Sequence, residues 1–275
     1  ADCVCDPSYL RSVQDYFHQH PDRQAVSIGF RHLLQHLDDA HVRAIQLYEL
    51  HLRAYIGWQK FYRYPFAFQT LGSCFAVRSR AYQLQGGMNR RKAGEDFYFL
   101  HKFSLIGQLG ELPQVLVFPS GRSSTRVPFG TGKAVAGLLY SEGICKSYHP
   151  QAIAAFCNFM KSIQDNFSSF RQGGTWRDHC TLASIQAYMN ELDLDAKIAE
   201  ALAHAGSGQA FSKRISKCFD PFRLMKYLHW ARELEFPDID VRESALELIA
   251  AATNGERPAS DGPEELLQRL IALGY

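Results

Sequence analysis

The residues best suited to moving a proton are the adjacent acids Glu95 and Asp96. Gly94 lets the chain bend just before them and the aromatic run Phe97-Tyr98-Phe99-Leu100 follows, which predicts that the pair opens a helix. Unpaired backbone N–H groups and the helix dipole favour an ionised carboxylate there, the state a general base needs to accept a proton from a hydroxyl. Acidic residues in a first helical turn are also ordinary capping chemistry, so the pair has a structural reading beside the catalytic one. Upstream, Gly86-Gly87 permits a tight, backbone-exposing turn before a basic loop. Downstream, Arg122 and Arg126 flank Ser123, Ser124 and Thr125. Guanidinium forks with neighbouring hydroxyls and glycine amides suit phosphate oxygens, although Arg-rich loops are often simply solvated.

The order of four pieces adds to this: Leu71-Gly72-Ser73-Cys74-Phe75-Ala76-Val77-Arg78, then Gly86-Gly87, then Glu95-Asp96, then the loop from Pro119 to Gly132. In that order they resemble the acceptor-binding half of family 2 glycosyltransferases with the GT-A fold. The resemblance covers residues 1 to about 135. It implies that Asp96 is the base that deprotonates the acceptor hydroxyl and that Glu95 orients the loop or an acceptor hydroxyl. It implies further that Gly72, Ser73, Gly86 and Gly87 shape the acceptor pocket by close backbone approach, and that Arg122 and Arg126 hold the donor phosphates. Ala1-Asp2 looks like the end of the family's Asp-x-Asp motif, so Asp2 is expected to supply part of the site for a divalent cation, Mg or Mn. On this reading the chain starts just inside that motif, lacks the nucleotide-binding half and is expected to be inactive alone. The Gln-x-x-Arg-Trp motif of processive synthases is absent from the sequence.

A chain of 275 residues and 31.2 kDa is long enough for one large domain or a domain with an appendage. With 30 basic and 28 acidic residues the net charge is +2, so no global electrostatic case exists for nucleic acid and any anion site must be local. Seven cysteines, without paired C-x-x-C spacing, read as reduced and cytosolic rather than as structural zinc ligands. No apolar run approaches the roughly 20 residues needed to span a bilayer. The expected location is cytoplasmic, with peripheral contact on the inner membrane face as a further option.

The elements that must position these groups follow from pattern. Asp6-Pro7 marks a helix start, Gln24 to Phe30 alternates as a strand, and apolar residues from Val42 to Tyr62 recur at helical spacing. The end of that helix carries Trp58, Phe61, Tyr62, Tyr64, Phe66 and Phe68 with Lys60 and Arg63. These read as core packing with a basic rim, or as a cover for a sugar or a membrane contact. Phe75 to Val77 reads as a strand, Tyr82 to Gly87 as the approach to the central loop, and Glu95 to Leu105 as a helix with Phe97, Leu100 and Phe103 inward and Phe99 as a further inward candidate. Gln114 to Phe118 reads as a buried strand bounded by Pro113 and Pro119. Beyond His149 the composition turns to helix formers, with helices expected at 153–167, 181–189, 196–204, 222–234, 241–252 and 264–273.

The fold class is therefore α/β: a partial GT-A domain over residues 1–148 and an all-helical extension over 149–275. The implied activity is inverting transfer of a sugar from a nucleotide-sugar donor to a saccharide or lipid-linked acceptor hydroxyl, in cell-surface polysaccharide or glycolipid synthesis. The competing reading is a non-catalytic helical interaction protein in which the acids and arginines are structural. A hydrolase using Glu95 and Asp96 as paired acids fits less well, because adjacent helical residues point about 100° apart and do not flank one bond.

Overall fold

The computed structural model describes residues 3–88, 94–124, 130–141, 143–256, 258 and 261–275. Asp2 and Arg126 lie outside the described residues. The chain is an α/β protein with a four-stranded mixed sheet and a mostly helical C-terminal part. It forms two compact units, one made of the residues up to Gly57, Phe68–Lys146 and Asp240–Tyr275, the other of Trp58–Ala67 and Ser147–Ile239.

The first unit holds the sheet, with strands β1 (Cys3–Cys5), β2 (Ala25–Phe30), β3 (Phe75–Val77) and β4 (Leu109–Pro119) in the order β1-β4-β2-β3. The central pair, β2 and β4, is parallel; β1 and β3 are antiparallel edge strands. Side chains on β2 alternate between two apolar clusters. Val26, Ile28 and Phe30 face Leu116 and Val117, with Tyr9, Val13 and Phe17 of α1 (Tyr9–Gln19) and Leu52 of α2 (Asp39–Phe61) packed beside them. Ala25 belongs instead with Ala81 of α3 (Ser79–Leu84) and Phe99, Leu100 and Phe103 of α4 (Glu95–Ser104). Each fully buried aliphatic or aromatic side chain of this kind stabilises the fold by roughly 1.5–3 kcal/mol. A fifth helix, α5 (Thr131–Tyr140), follows the sheet.

Three local expectations are corrected here. Pro113 does not bound the strand, because β4 runs through it. Proline lacks the N–H a ladder needs, and the register slips there, from Ile28 opposite Leu112 to Gly29 opposite Val115. Gly29 is required at the bulge, since a Cβ would sit 2.3 Å from the Pro113 carbonyl oxygen. The approach to the central loop begins as helix, since residues 82–84 lie within α3. Phe97 does not join the buried set of α4; it is half-exposed, stacked on His101 with ring centroids 5.9 Å apart.

The second unit is helical: α6 (Pro150–Asp165), α7 (Phe167–Arg171), α8 (Ala183–Glu191), α9 (Leu194–Ala203), α10 (Gly208–Ile215) and α11 (Pro221–Leu234). Its starts are capped as the sequence suggests at α11, where Asp220 accepts from the Arg223 N–H at 2.9 Å and Pro221 takes the first position. At α8 the cap comes from far away: Glu235 accepts from the N–H groups of Ala183 and Ser184, both at 3.0 Å. Helix α10 was not expected from the pattern; Ser207 caps it through Ala210 N–H at 3.2 Å. Of the aromatic residues at the end of α2, Trp58 and Tyr64 are buried and the Tyr64 hydroxyl donates to the Phe219 carbonyl at 2.7 Å, so core packing accounts for them. Phe61 is exposed.

The last helices, α12 (Val241–Ala252) and α13 (Pro263–Ala272), belong to the first unit, so compactness does not follow the compositional break near residue 148. Leu248 and Tyr275 pack on Gly57, Glu264 pairs with Arg31 at 3.1 Å, and Gln46 donates to Glu264 at 2.9 Å. Among the described residues no helix is long and apolar enough to cross a membrane.

Candidate functional site

Parallel strands β2 and β4 end at the same edge of the sheet, and in open α/β sheets ligands bind outside the carboxyl ends of the strands. The antiparallel register brings the start of β3 to that edge, since Ser27 lies opposite Phe75 and the Ile28 N–H donates to the Cys74 carbonyl at 2.8 Å. Gly72 and Ser73, just before it, are exposed there. The chain leaving β4 passes the same edge through a bridge between Ser120 and Leu33 and carries Arg122, which is exposed.

Asp96 joins this edge through Gly72. Gly94, with φ of 76°, holds the left-handed conformation that caps α4, so Glu95 and Asp96 open the helix as the sequence predicts. The Gly72 backbone sits directly against the Asp96 carboxylate: a Cβ on Gly72 would lie 2.8 Å from Oδ2. The carboxylate accepts from the Phe97 N–H at 2.7 Å, and the Gly72 backbone beside it favours its charged form. No Arg, Lys or His ion pair to it is found among the described residues. Half-burial pushes its pKa up and the neighbouring Glu95 charge adds to this, while the backbone N–H groups pull the other way. The result is a carboxylate raised above its ordinary range, at a helix terminus that still tolerates its charge.

Gly86 and Gly87 have φ of 72° and 68°, so the tight turn expected there exists. Gly87 packs on the Tyr82 ring, whose hydroxyl accepts from Met88 N–H at 3.4 Å, so the turn lies against Tyr82. The Ser73 hydroxyl lies 3.3 Å from the Cys74 sulfur. Asp2 and Arg126 lie outside the described residues. Among the described residues there is no group of three or more His, Cys, Asp or Glu able to hold a metal ion.

Three residues that sequence reasoning passed over lie next to this site. His32, just past the end of β2, is buried, and both its Nδ1 and its backbone N–H contact Glu49 Oε2, at 2.8 and 2.9 Å. Tyr48, the neighbour of Glu49 on α2, is partly buried with its ring beside His32, centroids 6.3 Å apart. Burial pushes its phenol pKa up. Glu49 itself is enclosed: Arg53 Nε donates to Oε1 at 2.9 Å and Arg31 Nε lies 3.4 Å away. Burial alone raises the Glu49 pKa, but His32 and Arg53 outweigh it and hold the carboxyl below its ordinary range. A lone His, Tyr or Glu on an element has no spacing signal; only the topology assembles them.

Comparison of the chain with family models, with curated proteins and with solved structures finds no match.

Proposed function

We propose that the first unit is the acceptor half of an inverting family 2 glycosyltransferase of the GT-A type, with Asp96 as the general base. The observation that carries the reading is the state of Asp96: half-buried at the carboxyl end of the parallel strands, met by backbone N–H groups, and raised in pKa. A carboxylate tied into an ion pair is a poor proton acceptor, whereas one with its pKa raised toward the working pH combines ionisation with basicity.

In the proposed reaction the Asp96 carboxylate takes the proton of an acceptor hydroxyl as that oxygen attacks the anomeric carbon of a nucleotide-sugar. The new carbon–oxygen bond forms opposite the bond to the diphosphate, which breaks and leaves as the nucleoside diphosphate, inverting the anomeric centre. Glu95, on the same helical turn, orients the acceptor, and Arg122 supplies a guanidinium at the same edge for the donor phosphates. The divalent cation implied by the resemblance, Mg or Mn with Asp2 among its ligands, would stabilise the leaving diphosphate; Asp2 lies outside the described residues. Cell-surface polysaccharide or glycolipid synthesis is the setting in which such a transfer takes place at the cytoplasmic membrane face.

The experiment is Asp96→Asn in the protein that carries this chain, assayed for sugar transfer from a panel of nucleotide-sugars. The change keeps size and most hydrogen bonds but removes the basic lone pair, so transfer falls by about 10²–10⁴-fold while donor binding persists. Glu95→Gln costs less. Transfer at the unmodified rate by Asp96→Asn removes Asp96 from the role of base.

A further inference from the structure

The corner where α3 meets the end of α4 turns apolar side chains to solvent. Leu84, the last residue of α3, is 76% exposed, Ile106, two residues past α4, is 54% exposed, and Tyr82 is 39% exposed. The two elements are tied together at both ends. Lys102 Nζ donates to the Gln85 carbonyl at 2.7 Å. At the other end Arg78, just before α3, donates through Nε at 2.9 Å to the Arg23 carbonyl, and Arg23 Nη1 donates to the Gly107 carbonyl at 2.5 Å. Tyr82 packs on Phe99 of α4, ring centroids 5.3 Å apart. The space around the corner is open, since a Cβ added at Gly86 or at Gly107 would meet nothing within 4 Å.

The charge here is one-sided. The chain holds 28 acids, yet none occurs from Leu50 to Gly94 or from Phe97 to Gly110. Asp22, 3.4 Å from Arg23, offsets that guanidinium, which leaves exposed Arg80 and the Lys102 ammonium as the basic excess of the corner. A stable protein interface needs roughly 800 Å² of matching surface from each partner. A bilayer needs no matching groove: it takes up isolated aliphatic side chains, and its anionic headgroups attract the cations beside them. We infer that the α3/α4 corner rests on a lipid surface containing anionic headgroups, with Leu84 and Ile106 entering the acyl boundary, Tyr82 at headgroup level, and Arg80 and Lys102 beside the phosphates. With so few apolar side chains entering, the contact is weak and reversible. The corner lies at the amino end of β2 and β4, where the Gln24 and Ala25 N–H groups donate to the Gln108 carbonyl. Docking there leaves the carboxyl edge of the sheet, with Asp96, open to the aqueous side, and it does not depend on the glycosyl-transfer reading.

The test is flotation of the full chain with vesicles of phosphatidylcholine and with vesicles of an equal mixture of phosphatidylcholine and phosphatidylglycerol. The chain floats with the anionic vesicles in preference to the neutral ones, and the preference weakens as salt is raised. Leu84→Ser and Ile106→Ser together lower the partitioning by about tenfold or more, and Arg80→Gln lowers it by about fivefold. All three side chains are exposed, so the circular dichroism of both variants matches that of the unmodified chain. Absence of flotation with anionic vesicles, or equal flotation with neutral ones, overturns the inference. Equal flotation of the unmodified chain and both variants moves the contact to another face and overturns it as well. Self-association without lipid that is lost in the Leu84→Ser, Ile106→Ser variant gives the patch to a second copy of the chain, which also overturns it. None of these outcomes bears on Asp96, so the glycosyl-transfer reading stands or falls by its own assay.

Discussion

Glu49 and Asp96 belong to the same unit and both lose water on folding, yet Glu49 is enclosed by His32, Arg53 and Arg31 while Asp96 is met by the Phe97 N–H, with the Gly72 backbone against it. The consequences run in opposite directions. Glu49 is held ionised, its pKa below the ordinary 4.5, and Asp96 is pushed above the ordinary 3.8. The first arrangement makes a carboxylate structurally indispensable and chemically inert; the second gives up stability for a group able to take a proton. Position reinforces the contrast. Glu49 lies under the sheet edge on α2, between neighbours that bind it from several sides, whereas Asp96 opens α4 at the edge where ligands reach open sheets.

Glu49→Ala probes the structural side and has the largest expected effect. It strands Arg53, Arg31 and the His32 ring without their shared anion, and breaking a buried ion cluster of this kind costs about 3–5 kcal/mol. Urea unfolding should show the midpoint falling with little change in slope. The pH dependence follows from the lowered pKa: stability from Glu49 is present above pH 4.5 and is lost as pH falls through its lower folded-state value. A change of a few tenths of a kcal/mol would mean that the cluster is not what holds α2 to the strand ends.

Gly72→Ala probes the other side. The added Cβ would lie 2.8 Å from Asp96 Oδ2, and the end of a short side chain at the surface can swing away more cheaply than backbone can. The fold should therefore persist with the carboxylate displaced by about 1 Å, and a misplacement of that size can cost about 10²-fold in transfer. Circular dichroism and the transfer assay on one preparation separate the two effects. Full activity with a stable fold would show that Gly72 does not position Asp96.

The smallest effect expected is a gain. With its pKa raised in the folded state, Asp96 contributes stability below pH 3.8 that is lost as pH rises through the folded-state value. Asp96→Asn removes a charge that the fold accommodates at a cost. Its Tm at pH 7 should thus exceed that of the unmodified chain by a few degrees, the gap closing as pH falls below 4. A lower Tm at neutral pH would indicate that Asp96 is a structural carboxylate after all, closer in kind to Glu49.

The opening of α4 was legible because Gly94, two acids and an aromatic run form a local signal, and β2, β3, α2 and α12 were legible for the same reason. The approach of Gly72 to Asp96 has no local signature; it arises when antiparallel β3 brings its start to the carboxyl end of β2. His32 and Tyr48 escaped notice because each is a single residue whose partners lie on other elements. Pro113 misled because proline usually ends a strand, and the bulge against Gly29 that tolerates it depends on the neighbouring strand. The return of α12 and α13 to the first unit rests on Glu264 meeting Arg31 and on Leu248 and Tyr275 packing on Gly57, contacts that no local window contains.

The claim that Asp96 is a partly desolvated base, without an ion pair among the described residues, is tested most directly by titrating side-chain carboxyl ¹³C resonances of the two groups in one sample. The account predicts that Asp96 titrates above 3.8 while Glu49 stays ionised to below 4.5. An Asp96 that titrates at or below its ordinary value, alongside Glu49, would contradict it.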